Sequence, residues 1–173
     1  KITSLNITFL GYSGLLCEIN ECVEALHGNG AQDLMKVVYE LGEIALTMAN
    51  QDNQIKRMNN VINDGSAYEI FNKMVYEHGG DLKTISLKYK HNIEIVAREE
   101  GILKYIDTKQ IGNAVNYITL KNGKKDVNAG MKFYYKNDDI INRGDVICRI
   151  FSNDINNVQV AEKMVEESIL IKC

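Results

Sequence analysis

Residues 10–30 read LGYSGLLCEINECVEALHGNG, a glycine-rich bend running into an acidic amphipathic helix that stops at paired glycines. Gly11 and Gly14 permit a turn with positive φ, while Leu15, Leu16, Ile19, Val23 and Leu26 recur at helical spacing as one apolar stripe. Glu18, Glu21 and Glu24 then lie along the flank of that stripe. A glutamate one or two turns into a helix, behind a bend with unpaired carbonyl oxygens, has the donor chemistry of a cage for a hard cation. From spacing alone, a solvated acidic flank is the simpler expectation.

Upstream of this stretch, residues 1–9 (KITSLNITF) are β-branched and imperfectly alternating, which predicts a strand. Downstream, the first helix ends at Gly28-Asn29-Gly30. A second opens at Gln32-Asp33 with Leu34, Val37, Val38, Leu41, Ile44, Ala45 and Met48 on one face, predicted to pack on the first as a hairpin. A third helix runs over 51–64 to Gly65. Ser66 is expected as the N-cap of a fourth, with Glu69 at the capping-box position and Ile70, Phe71, Met74 and Val75 facing inward, and Gly79-Gly80 stops it.

Beyond Asp81 the apolar period changes from helical to alternating. Strands are expected over 87–96, 101–106, 131–135 and 146–151, with a short helix capped by Asp107 or Thr108, a turn at 121–124, a last helix capped near 152–154, and a short apolar tail over 169–171. The expected fold class is therefore α+β, a helical first half joined to a β-rich second half with a closing C-terminal helix. The boundary is expected between a strand-plus-helix segment, 1–85, and a β-rich subdomain, 86–173.

The 173 residues, 45% of them hydrophobic, suffice for a sizeable core. A net charge of −3 provides no basic field for nucleic acid. The longest apolar runs fall well short of the roughly 20 residues that span a bilayer, and the N-terminus lacks a signal-peptide pattern. The expected location is the cytoplasm, with no membrane partner. The four cysteines, Cys17, Cys22, Cys148 and Cys173, have neither zinc nor redox spacing; Cys17 and Cys148 are expected to pack as small hydrophobes. The chain starts at Lys1 without methionine and reads as a trimmed or partial product.

The residue pattern excludes more chemistry than it supports. No phosphate-binding glycine loop has strand-loop-helix placement. His27 and His78 each precede a glycine at a helix end, where an imidazolium suits the helix dipole, and His91 is isolated. The adjacent acids Glu99-Glu100 and Asp138-Asp139 should point apart and stay solvated. The run Ala129-Gly130-Met131-Lys132-Phe133 faintly resembles the lysine turn of biotin and lipoate carrier domains. An inserted glycine and a strand position for Lys132 spoil that resemblance.

Several ordered blocks do resemble one family. They are Leu10-Gly11-Tyr12 with Glu18, Glu21 and Ala25 to Gly30; Asp33-Leu34 with Leu41-Gly42; Phe71 to Val75 leading to Gly79-Gly80-Asp81; Gly101-Ile102 through Ile111-Gly112; and Asp126-Val127, Asp139 to Ile141, Arg143-Gly144 and Ile150 to Asn153. In order and spacing these resemble the C-terminal part of the pyrimidine nucleoside phosphorylase and thymidine phosphorylase family, and the expected fold is that family's C-terminal α/β, hammerhead-like portion. The resemblance implies a pentosyltransferase of nucleoside salvage and pyrimidine metabolism: pyrimidine nucleoside plus phosphate gives the base and a pentose 1-phosphate. The family's phosphate and base groups, including a Lys-x-Ser-Thr-Gly-Gly loop, lie upstream and do not occur here. No catalytic residue is therefore assigned, and the chain by itself is expected to be inactive.

The resemblance also implies a potassium ion held by the backbone carbonyls of Leu10 and Ser13 and the carboxylate of Glu21, with its other ligands in the absent loop, so that the site is incomplete. The sequence departs from the family in being one residue short between Ser13 and Gly14, in carrying Leu15 where asparagine is usual and Asp138 where glycine is usual, and in being shortened before Gly130. Two expectations follow. One is a split or truncated phosphorylase portion that takes nucleoside and phosphate only when completed by an N-terminal half. The other is a non-catalytic binding or interaction module, working as a homodimer or with a complementary chain.

Overall fold

The computed structural model describes residues 11–121 and 124–172. The predicted first strand, the candidate ligand Leu10, the turn residues Asn122 and Gly123, and Cys173 lie outside the described residues. Helices and strands are mixed as expected for α+β. By its contacts the described chain divides into a helical unit, residues 19–86, and a β-rich unit, residues 11–18 with 87–172. No described helix is long and apolar enough to cross a membrane.

α1 (Leu16–Glu24) starts among the residues of the β-rich unit and continues into the helical unit, where it runs into a π-helical turn, Ala25–Asn29, in which Gly28 sits at φ 85°. That left-handed geometry favours glycine and separates α1 from α2 (Gln32–Met48). α3 (Gln54–Asn63) and α4 (Ser66–Glu77) follow. Ser66 is not the N-cap. Gly65, at φ 80°, takes that place: its N–H donates to the Ile62 carbonyl at 3.3 Å and its carbonyl accepts from Glu69 N at 3.0 Å. One glycine thus closes α3 and opens α4, and Ser66 becomes the first helical residue, its N–H held by Asp64 Oδ1 at 2.9 Å.

α2 packs on α3 through Gly42, where the Met58 side chain occupies the space a Cβ would need, and through the Tyr39 hydroxyl, which donates to Asn59 Oδ1 at 2.6 Å. The predicted inward stripe of α2 is not the face in contact: Val38, Leu41, Ile44 and Met48 are exposed, and none of α2, α3 and α4 contains a fully buried residue. α4 likewise exposes Ile70 and Met74, two of its four predicted inward residues. These helices are amphipathic as their spacing predicts, but a single layer of helices covers only part of their apolar surface.

The β-rich unit holds the core. A four-stranded antiparallel sheet has the order β1 (Tyr12–Gly14), β6 (Gly130–Phe133), β8 (Val146–Ser152), β2 (His91–Val96). A three-stranded sheet has the order β7 (Ile140–Ile141), β3 (Gly101–Tyr105), β9 (Ile169–Lys172), and a two-residue ribbon pairs β4 (Leu120–Lys121) with β5 (Lys124–Lys125). The apolar tail is therefore a strand, antiparallel to β3 with Leu103 opposite Ile171. The expected strand over 87–96 begins only at His91; before it, Lys88 N–H donates to Asn128 Oδ1 at 3.0 Å, outside any sheet ladder.

α5 (Thr108–Thr119) and α6 (Ile155–Glu166) begin at aspartates whose carboxylates accept backbone N–H groups, Asp107 from Gln110 and Asp154 from Asn156, both at 2.9 Å. Ile111, Ala114 and Ile118 of α5 and Val158, Ala161 and Val165 of α6 meet Leu103, Met131, Phe133, Ile141, Cys148 and Ile150 from the sheets in one cluster. Tyr105 donates its hydroxyl to the Tyr135 carbonyl at 2.8 Å and stacks edge-on against Phe133.

Cys17 and Cys148 are both buried as thiols, as expected. Burial pushes the Cys148 thiol far above its ordinary value of 9.0, because the core cannot solvate a thiolate. Its raised pKa contributes stability that is complete below pH 9.0 and is lost as pH rises, since the unfolded thiol ionises first. Urea unfolding of the chain is expected to show stability falling above this point by up to ~1.4 kcal/mol per pH unit from this group. Cys148→Ala should flatten that dependence while lowering stability at neutral pH.

Candidate functional site

The segment from Tyr12 to Glu24 is built on a close backbone approach. Tyr12, Ser13 and Gly14 pair with Lys132, Met131 and Gly130, so two glycines face each other across β1 and β6. A Cβ on either would fall 2.7 Å from Cys17 Sγ. The thiol, reaching from the first turn of α1, fills the notch that the paired glycines leave. Leu16 N–H donates to the Val127 carbonyl at 3.2 Å, and Glu18 accepts from Gly14 N–H at 2.7 Å, a side-chain cap on the bend.

This packing separates the three glutamates that spacing alone left equivalent. Glu18 is used as a cap, Glu24 is exposed, and Glu21 is 8% exposed. The predicted apolar stripe is rotated accordingly: Leu15 and Ile19 are exposed, and Cys17 and Glu21 take the buried positions one turn apart. The glycine notch admits a small side chain at position 17. Of the candidate ion ligands, Ser13 lies in β1 within the β-rich unit and Glu21 lies in the helical unit. Backbone and carboxylate oxygens are suitable donors for a hard cation. Among the described residues there is no group of three or more His, Cys, Asp or Glu side chains that could hold a metal.

A second arrangement has no counterpart in the sequence pattern. Direct cross-strand partners Tyr12, Lys132, Arg149 and Glu94 form one row across all four strands of the larger sheet. The Lys132 ammonium lies 5.0 Å from the ring centres of both Tyr12 and Tyr134, and Arg149 Nε donates to Glu94 Oε1 at 2.9 Å. Lys132 is thus in mid-strand with its charge against two aromatic rings, not at the hairpin tip that a carrier lysine needs. The remaining expected groups behave as solvated or capping residues. His78 Nδ1 lies 2.7 Å from the Met74 carbonyl, and His27 packs 4.5 Å from the Tyr68 ring. Asp138 pairs with Lys104, which lowers its pKa, whereas Asp139 Oδ2 accepts from Lys136 N–H at 2.6 Å. Asp138 has φ 75°, which explains in physical terms why glycine suits this position in the family it resembles.

Residues 102–172 match the family described as pyrimidine nucleoside phosphorylase C-terminal domain. These residues form such a domain. It takes in every element from β3 to β9, while β1 and β2, the outer strands of the larger sheet, lie ahead of the match. Similarity extends beyond the domain. The chain is 27% identical to the pyrimidine-nucleoside phosphorylase of Staphylococcus haemolyticus, over 92% of this chain and 40% of that protein. It is 25% identical to the pyrimidine-nucleoside phosphorylase of Geobacillus stearothermophilus over 91% of this chain and 40% of that protein. It is also 24% identical to the thymidine phosphorylase of Metamycoplasma hominis, over 86% of this chain and 59% of that protein. The chain is thus similar to the C-terminal part of these phosphorylases, and it spans 40% to 59% of their length.

Proposed function

We propose that the chain supplies the C-terminal part of a cytoplasmic pyrimidine nucleoside phosphorylase and turns over only when joined by a polypeptide bearing the phosphate- and base-binding groups. The observation that carries this reading is the domain match over 102–172, within a similarity that covers nine-tenths of the chain but two-fifths of two phosphorylases. In the reaction a phosphate oxygen bonds to the anomeric carbon of the pentose as the bond to the pyrimidine nitrogen breaks. The departing electron pair goes to the base, so donors must stabilise charge on it and a cradle must hold phosphate. This chain's own contribution is the scaffold beside that centre. The Leu10 and Ser13 carbonyls and the Glu21 carboxylate supply part of a potassium site whose other ligands come from the completing polypeptide.

The test is phosphate-dependent release of uracil or thymine, measured for this chain alone and after adding the N-terminal part of the Geobacillus stearothermophilus enzyme. The expected result is no release by the chain alone and release by the combination; an inactive combination overturns the reading. Potassium should bind the isolated chain weakly or not at all, and an ordered ion held by Leu10, Ser13 and Glu21 alone would overturn the partial-site proposal. A non-catalytic interaction module is the second reading, favoured by the uncovered apolar faces of α2, α3 and α4. A combination that associates but never turns over would support it.

A further inference from the structure

Helix α2 turns its apolar side away from its neighbour. At about 100° per residue, Leu34, Val37, Val38, Leu41, Ile44, Ala45 and Met48 occupy an arc of about 120°. The contacts to α3 come from Tyr39 and Gly42, on a different side of the same helix. Within the arc, Val38 is 41% exposed, Leu41 51%, Ile44 39% and Met48 80%. The stripe ends in a notch of about 340 Å³ lined by Glu40, Glu43, Ile44, Thr47 and Met48, apolar inside and acidic at its border. A row of exposed valine, leucine, isoleucine and methionine over about three turns of one helix is more apolar surface than a free-standing domain ordinarily leaves to water.

We propose that this stripe of α2 is the docking surface for the part of a phosphorylase chain that these residues do not span. The length of the relatives supports that occupant: the chain covers 40% of two of them, and in each the remaining three-fifths belongs to the same polypeptide as the part it matches. The notch specifies its contact chemistry, a large apolar side chain entering beside Ile44 and Met48 with a lysine or arginine next to it, facing Glu43. Centrally placed Leu41 and terminal Met48 are its anchors. The inference rests on the functional reading above in its choice of partner, but it concerns association and not turnover.

The experiment uses the full chain, its variants Leu41→Asp and Met48→Asp, and the N-terminal polypeptides of the Staphylococcus haemolyticus and Geobacillus stearothermophilus enzymes as probes, with binding followed by calorimetry and gel filtration. The expected result is a one-to-one complex with at least one probe, weakened about 30-fold or more by either substitution. Lys36→Ala, on the opposite side of α2, should change binding less than twofold. Both aspartate variants should keep the melting temperature of the isolated chain. Failure to bind either probe overturns the proposal, as does equal binding by Leu41→Asp. A large loss of melting temperature in both aspartate variants shows the stripe covered from within the chain and also overturns it. A self-dimer of the isolated chain abolished by Leu41→Asp puts a second copy on the stripe, and the proposed occupant is then equally wrong. Binding without phosphorolysis overturns the enzymatic reading and leaves the docking surface standing, whereas phosphorolysis indifferent to Leu41→Asp does the reverse.

Discussion

Gly14→Ala is expected to destabilise the β-rich unit by about 3 kcal/mol, the upper part of the range for overpacking a tight site. The new Cβ would lie 2.7 Å from the Ala129 carbonyl oxygen and 2.9 Å from Gly130 Cα, backbone atoms just before and at the start of the paired strand, as well as 2.7 Å from Cys17 Sγ. Backbone in a sheet ladder cannot move aside without losing its hydrogen bonds, so thermal unfolding should shift down by roughly 10–20 °C. Gly130→Ala makes a sharper comparison. Its closest neighbour is the Cys17 thiol at 2.7 Å, followed by Ser13 O at 3.0 Å and Phe151 Cε2 at 3.1 Å. Removing the thiol makes room, so Cys17→Ala should recover about 1 kcal/mol or more of the Gly130→Ala loss in a double-mutant cycle. The same Cys17→Ala should rescue Gly14→Ala little, because the backbone clash remains. Equal rescue of both glycine variants would refute the notch as described.

Asp126→Ala should cost about 2–4 kcal/mol, because one carboxylate serves several donors that would be left without an acceptor. Asp126 Oδ2 accepts from Ser152 Oγ at 3.0 Å and Asn153 N at 2.9 Å, and Oδ1 accepts from Asn153 Nδ2 and Asn128 N, both at 3.1 Å. Ser152 is fully buried, so water cannot replace its partner without opening the structure. These bonds tie the chain after β5 to the end of β8, where it enters α6, and hence hold the domain's last helix in place. Asp126→Asn, which keeps one acceptor oxygen, should cost about half as much in urea unfolding. Amide exchange at Asn153 and Asn128 should accelerate in Asp126→Ala; unchanged protection would show that the carboxylate is not their anchor.

Local signals are readable wherever the interaction is local. Asp107 and Asp154 cap α5 and α6 with their own side chains within three residues, and Gly28 and Gly79 end helices in left-handed geometry. The expected cap at Ser66 fails for a local reason too: Gly65 at φ 80° merges stop and start, leaving no separate capping position. Residues 12–14 look like a bend because two glycines flank a short polar segment, yet they form a strand whose partner is more than a hundred residues away. The tail at 169–172 carries no sign of its pairing with β3, since a three-residue apolar run reads alike whether it caps a helix or joins a sheet.

The candidate site divides along the same line. Three glutamates on one flank of α1 are indistinguishable by spacing, and only packing shows Glu18 bound to Gly14 N–H, Glu21 buried and Glu24 in water. The row Tyr12, Lys132, Arg149 and Glu94 joins four strands in non-sequential order, so no window of sequence contains it. On its own, the sequence determined the change from helical to alternating period, the glycine stops and the aspartate caps, because each is decided by atoms a few residues apart. The tertiary structure alone decided which face of α1 is buried, which of its carboxylates is buried, and that the apolar side of α2 faces outward. Amphipathic spacing records that a helix has an apolar side; what covers that side depends on surfaces far away in the chain or beyond it.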